Sequence, residues 1–215
     1  MTVIAQQFEA KFPDRLRLPF AFDPQRLAAD LQRVTVGWTR HFVRQNYDGD
    51  WSAIPLRAPT GETHPSRMIY AGPDRHDFSD TPLLEACPCF REVVQTFRCP
   101  LRLVRLMRLT PGSVIKEHED VVLSFEDGMV RLHIPVVTND AVDFRLNGER
   151  VVLEAGSCWY LRLSDPHSVA NRGTEDRVHL VVDAEVNDWL GEVFAAAAAG
   201  LDQPLRAVRD DSSLR

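Results

Sequence analysis

From Leu101 onward, apolar and polar positions alternate with a period of about two, the pattern of strands with one face buried. The runs that qualify are Leu101–Leu109, Val114–Asp120, Met129–Val137, Val142–Leu146, Val151–Leu153, Ser157–Leu163, His167–Asn171 and Arg177–Ala184. Asn147-Gly148 separates the fourth run from the fifth and predicts a type I′ hairpin, because both residues tolerate positive φ. Short strands at this spacing predict a mainly β fold, a double-stranded β-helix of the jelly-roll or cupin-like kind.

Upstream the pattern changes. Asp23-Pro24 ahead of Arg26-Leu27-Ala28-Ala29-Asp30-Leu31 predicts an N-capped helix with proline in its first turn. Trp38 to Arg44 reads as extended, with Trp38, Arg40, Phe42 and Arg44 on one face. Between Gln45 and Phe78 the chain is rich in Asp, Gly, Pro and His, which predicts an irregular loop of the functional kind. A second helical region starts at Thr81-Pro82-Leu83-Leu84-Glu85, is interrupted by Pro88 and resumes through Arg91–Phe97. Val186–Ala199 forms a closing helix around Trp189, Leu190, Val193 and Phe194, with Gly200 as its stop. The expected organisation is an N-terminal helical and loop region over 1–100 packed on a β core over 101–184, a C-terminal helix over 185–201 and a polar tail over 202–215.

Composition narrows the partners. The 215 residues are 44% hydrophobic and 26% charged, ordinary for a globular chain, and the formal net charge of −6 argues against non-specific nucleic-acid binding. No run approaches the ~20 apolar residues that span a bilayer. Met1 to Pro13 lacks an apolar stretch with a cleavage site, so a cytoplasmic protein with no membrane partner is expected. Cys87, Cys89, Cys99 and Cys158 lack the paired spacing of a zinc site and read as free thiols among apolar neighbours.

The chemistry gathers on a few side chains. His118-Glu119-Asp120 sets an imidazole and a carboxylate on one face of an extended segment, and a second imidazole follows in Asp165-Pro166-His167. His-x-Asp alone is a weak pattern, but two histidines and one carboxylate with open positions is the ligand set that suits non-haem Fe(II) in oxygenases. Arg177, one strand further on, is placed to hold a carboxylate of an organic cosubstrate bidentately, which points to an iron- and 2-oxoglutarate-dependent hydroxylase. Arg131 and His133 share a face opposite Leu132, Ile134 and Val136; Arg177, His179, Val181 and Asp183 share another. Arg105 falls on the apolar face of its run, where a cation needs an anionic ligand or an internal salt bridge; both accounts stay open for Arg105 and Arg131. The 46–57 segment adds Asn46, Tyr47 and Trp51 as candidate substrate contacts beside Arg105.

Three blocks, Arg131-Leu132-His133-Ile134-Pro135, Asp165-Pro166-His167-Ser168-Val169 and Arg177-Val178-His179-Leu180-Val181-Val182-Asp183, resemble the aspartyl/asparaginyl β-hydroxylase-like family of 2-oxoglutarate oxygenases. The resemblance implies that His118, Asp120 and His167 bind Fe(II), that Arg177 pairs with the distal carboxylate of 2-oxoglutarate, and that Arg131 and His133 help hold that cosubstrate. Around the metal site the His-x-Asp pattern is similar to that of bacterial proline cis-4-hydroxylases, which implies Arg105 as the grip on an amino-acid carboxylate. The function expected is dioxygen-dependent hydroxylation of an unactivated C–H bond in an amino acid, free or in a small peptide. Two rivals are hydroxylation of an Asp or Asn side chain in a protein, and a jelly-roll metal or small-ligand binding module without turnover.

Overall fold

The computed structural model describes residues 10–72 and 75–201, so the expected polar tail and residues 1–9 lie outside the described residues. Strand β1 (Arg15–Ala21) and helix α1 (Pro24–Gln32) come first, followed by β2 (Thr39–Arg40), β3 (Tyr47–Asp48) and β4 (Trp51–Pro59). Next come α2 (Pro65–Met68), β5 (Phe78–Asp80), α3 (Pro82–Glu85) and α4 (Pro88–Thr96). The strand-rich half holds β6 (Leu101–Leu109), β7 (Val114–His118), β8 (Met129–Val137), β9 (Val142–Leu146), β10 (Glu149–Val151), β11 (Ser157–Leu161), β12 (His167–Asn171) and β13 (Arg177–Glu185). Helix α5 (Asp188–Leu201) closes the fold.

The strands build two antiparallel sheets. The larger runs β1-β11-β8-β13-β6-β4-β2 with β5 paired to β4, and the smaller runs β10-β9-β12-β7-β3. The period-two pattern of β13 explains how they pack. Val178, Leu180 and Val182 turn toward a core shared with Leu27 of α1, Phe90 and Val93 of α4, and Leu190 and Phe194 of α5. Val181 turns the other way, into a second core with Met107 and Leu109 of β6, Ile115 of β7, Phe144 of β9 and Val169 of β12. The larger sheet is therefore covered by helices on one side and by the smaller sheet on the other, a jelly roll of the expected class.

Local signals explain the elements. Asp23 caps α1 by accepting from the Gln25 amide at 2.8 Å, and Asn147 and Gly148 take φ of 52° and 76° in the β9–β10 hairpin. Pro88 does not interrupt a helix; it opens α4, since proline lacks an N–H that the first turn would leave unsatisfied. The buried Asp30 carboxylate accepts from the amides of Cys89 and Phe90 at 2.7 and 3.0 Å and so caps α4 from a neighbouring helix. All four cysteines are free and buried.

The upstream half holds more strand than its sequence predicts. The expected loop over 45–78 contains β4, a nine-residue strand between β6 and β2. Pro55 disguises it, because proline normally marks a break in a central strand. Here the β4–β6 register shifts between Pro55 and Arg57, so the missing N–H falls at an irregularity. The expected extended run from Trp38 to Arg44 shortens to β2 and ends in a single 3-10 turn over Arg44–Asn46. The expected strand at Val151–Leu153 pairs instead as β10, with Glu149 opposite Leu146, because the two-residue turn fixes the register. Among the described residues, no helix is long and apolar enough to cross a membrane.

Candidate metal centre

His118 ends β7 and His167 begins β12, and the two face each other directly in the antiparallel ladder. Their rings stand 4.3 Å apart between centroids. Asp120 follows β7 and is tied to the sheet by its amide, which donates to the Leu163 carbonyl at 2.8 Å. One ligand atom from each of His118, Asp120 and His167 lies within 4.8 Å of the others, close enough for one cation to bridge all three. His118 Nε2 and Asp120 Oδ1 are 3.7 Å apart.

The tautomers suit a metal. His118 Nδ1 lies 2.7 Å from the Lys116 carbonyl and His167 Nδ1 lies 3.0 Å from the Asp165 carbonyl. A carbonyl only accepts, so each Nδ1 carries the proton and each Nε2 keeps a lone pair for a cation. Burial lowers the pKa of His167, which keeps that imidazole neutral and available. Asp120 presents Oδ1 to the histidines while Oδ2 accepts from Arg131 at 2.6 Å. Two imidazoles and a carboxylate oxygen fit Fe(II) of the facial-triad kind.

Behind the trio lies a chain of charges on the inner face of the larger sheet. Arg131 of β8 stands opposite Asp183 of β13 and grips it with two nitrogens, at 2.6 and 3.0 Å. Arg105 of β6 donates to the same carboxylate at 2.6 Å and to the Ile69 carbonyl at 2.7 Å. Burial opposes ionisation of Asp183, but Arg105 and Arg131 outweigh it and hold the carboxyl below its usual range. The internal ion pair considered for Arg105 and Arg131 is present, while Arg131 also lines the cavity beside the candidate ligands. Asp120 and Asp183 offset these two arginines, so the network is balanced within itself.

Arg177 has no such balance. It is 3% exposed, its Nη2 meets His179 Nδ1 at 2.8 Å, and its Nε has no partner. Among the described residues no carboxylate pairs with it, and burial pushes its pKa down to about 9. The guanidinium lines a cavity with His118, Asp120, His167, Arg131 and His133, walled by Trp51, Met107, Ile115, Phe144, Leu163 and Val169. The cavity measures about 40 Å³, room for little more than water.

The cavity thus gathers His118, Asp120, His167, Arg131, His133, Arg177 and Trp51. It leaves out Arg105, Asn46 and Tyr47. Asn46 sits in the 3-10 turn, and the buried Tyr47 hydroxyl is spent on the His41 carbonyl at 3.0 Å. Two residues matter more than their sequence suggests: Asp183, which anchors both arginines, and His179, which touches Arg177. Their signals in the sequence were the shared Arg177 face of β13 and their place in the Arg177–Asp183 block.

Three buried imidazoles give the fold an acid limit. Burial is the first cause that lowers His41 to about 3 and that holds His133 and His179 well below 6.5. An unfolded chain takes up protons at these positions below about pH 6.5 while the folded chain refuses them, so stability is full above that pH and falls as pH drops. Each group contributes about 1.4 kcal/mol per pH unit in that window. Urea unfolding of the metal-free protein is expected to show at least ~2 kcal/mol less stability at pH 5 than at pH 7. Equal stability at the two values would mean that these rings protonate freely in the fold.

Comparison with known proteins agrees with this geometry. The family model for aspartyl/asparaginyl beta-hydroxylase matches residues 23–186. The chain is 29% identical over 168 residues to an L-proline cis-4-hydroxylase from Rhizobium meliloti strain 1021. The match covers 76% of this chain and 58% of that protein's length. An oxidoreductase of the 2OG-Fe(II) oxygenase family from Burkholderia pseudomallei shares the fold, with a TM-score of 0.50 at 14% identity over 81% of this chain and 86% of the other.

Proposed function

The chain belongs to the aspartyl/asparaginyl β-hydroxylase family, and from that premise we propose that it is an Fe(II)- and 2-oxoglutarate-dependent dioxygenase that hydroxylates a C–H bond of an amino acid, free or in a small peptide. The observation that carries this reading is the uncompensated Arg177 guanidinium in the same cavity as His118, Asp120 and His167. A buried cation without an anion is costly unless a ligand supplies one. A divalent metal held by His118, Asp120 and His167 in the same cavity would add to the positive charge, and a dicarboxylate would answer both.

In this reading His118, Asp120 and His167 would hold the iron. Bound there, Fe(II), 2-oxoglutarate and dioxygen supply the oxidising power for hydroxylation. Arg177 takes the distal carboxylate, with Arg131 and His133 bordering the cosubstrate. Arg131 also fixes the rotation of the Asp120 carboxylate through its hold on Oδ2. Trp51, stacked on His41 at 3.6 Å between centroids, forms a rigid apolar wall for the prime substrate and keeps water from the reacting carbon. The match to a proline hydroxylase supports an amino-acid substrate class.

The test is conversion of 2-oxoglutarate to succinate by the Fe(II)-loaded protein, followed by a mass screen of amino acids and short peptides for the gain of one oxygen. Arg177→Lys keeps the charge but loses the planar fork. It is expected to weaken 2-oxoglutarate about tenfold or more while leaving Fe(II) affinity within about threefold. Unchanged 2-oxoglutarate dependence in Arg177→Ala would overturn the assignment.

A further inference from the structure

We propose that His179 is a positioning residue that aims Arg177 at the cosubstrate and fixes the tautomer of His133. The inference rests on the functional reading above and deepens it. His179 is 1% exposed and lies opposite Met107 on one side and Pro135 on the other in the β6–β13–β8 ladder, which fences its ring. Arg177 Nη2 approaches its Nδ1 at 2.8 Å. A guanidinium only donates, so Nδ1 is an acceptor and the His179 proton sits on Nε2.

The second contact follows. His133 Nδ1 lies 3.3 Å from the same His179 Nδ1, with the rings edge to face at 75°. Two bare lone pairs would repel, so His133 carries its proton on Nδ1 and leaves Nε2 as an unpaired acceptor. One imidazole lone pair therefore orders two cavity-lining side chains. It costs the site no charge, because burial, with Arg177 alongside, keeps His179 neutral. A carboxylate here would cancel Arg177 and remove its pull on an anionic ligand. A neutral acceptor orients the guanidinium and preserves its charge for the cosubstrate. His179 Nε2 is buried and meets no hydrogen-bond partner among the described residues, and the residue also lines a second cavity with Thr138, Asn139, Arg150 and Glu154.

Substitutions separate this role from simple packing. Asparagine can set an acceptor where Nδ1 stands, whereas glutamine sets one near Nε2. Anaerobic calorimetry of 2-oxoglutarate binding to the Fe(II)-loaded full chain, alongside Fe(II) titration, reads the effect. His179→Leu is expected to lose about tenfold or more in 2-oxoglutarate affinity at unchanged Fe(II) affinity. His179→Asn should recover most of the loss, and His179→Gln little of it. Nitrogen-15 spectra of histidine-labelled wild type should show the His179 proton on Nε2 and the His133 proton on Nδ1, a readout that stands even if a variant fails to fold. No loss in His179→Leu, equal behaviour of the Asn and Gln variants, or a His179 proton on Nδ1 overturns the positioning role and leaves the functional reading intact. Wild-type protein that binds Fe(II) but no 2-oxoglutarate overturns both.

Discussion

Asp120→Ala is expected to weaken Fe(II) binding by more than about 100-fold and to abolish succinate formation. Loss of an outer partner of a metal ligand commonly costs 10–100-fold, and in the proposed site Asp120 would be a ligand itself. Its Oδ1 faces His118 Nε2 at 3.7 Å, and the two histidines alone define an edge rather than a face. The substitution should spare the fold. Arg131 loses its contact to Oδ2 but keeps both contacts to Asp183, so Arg105 and Arg131 each retain a carboxylate partner although the two now share one. Fe(II) titration paired with thermal unfolding separates the two effects: affinity falls sharply and the unfolding midpoint barely moves. Full iron affinity and turnover in this variant would show that Asp120 is not a working ligand.

Asp183→Ala is expected to do the reverse and undercut the fold, by about 3–5 kcal/mol. Asp183 is the shared partner of Arg105 and Arg131, and removing it leaves Arg105 buried with no carboxylate bonded to it and Arg131 with Asp120 alone. Arg105→Ala is the informative companion. There Asp183 retains its two-point grip from Arg131, so the loss is that of a charged hydrogen bond, roughly 1.5–3 kcal/mol. Urea denaturation of the two variants at one pH measures the gap. If Asp183→Ala costs no more than Arg105→Ala, the ion-pair chain does not hold the inner face together, and Arg105 returns as a candidate for the substrate carboxylate.

The strands from β6 to β13, apart from the bounds of β10, were legible because alternation is a local property: each residue's neighbours two positions away decide which face it takes. The Asn147-Gly148 turn was legible for the same reason. The metal trio was legible too, since His118 and Asp120 are two residues apart and His167 opens its own strand. Strand β4 was hidden by Pro55, whose tolerance depends on a register irregularity that exists only once β6 lies beside it. The fate of the arginines was hidden more deeply. Arg105, Arg131 and Asp183 meet because β13 pairs with β6 on one side and β8 on the other, bringing together residues 78 and 52 positions apart. Arg177, on the same strand as Asp183, receives no carboxylate among the described residues. The sequence alone determined which side chains face inward; the register between distant strands decided which of those charges cancel and which one stays without a carboxylate among the described residues. Facing follows from the period of a single strand, whereas charge pairing is an energy between strands that does not exist until they are packed.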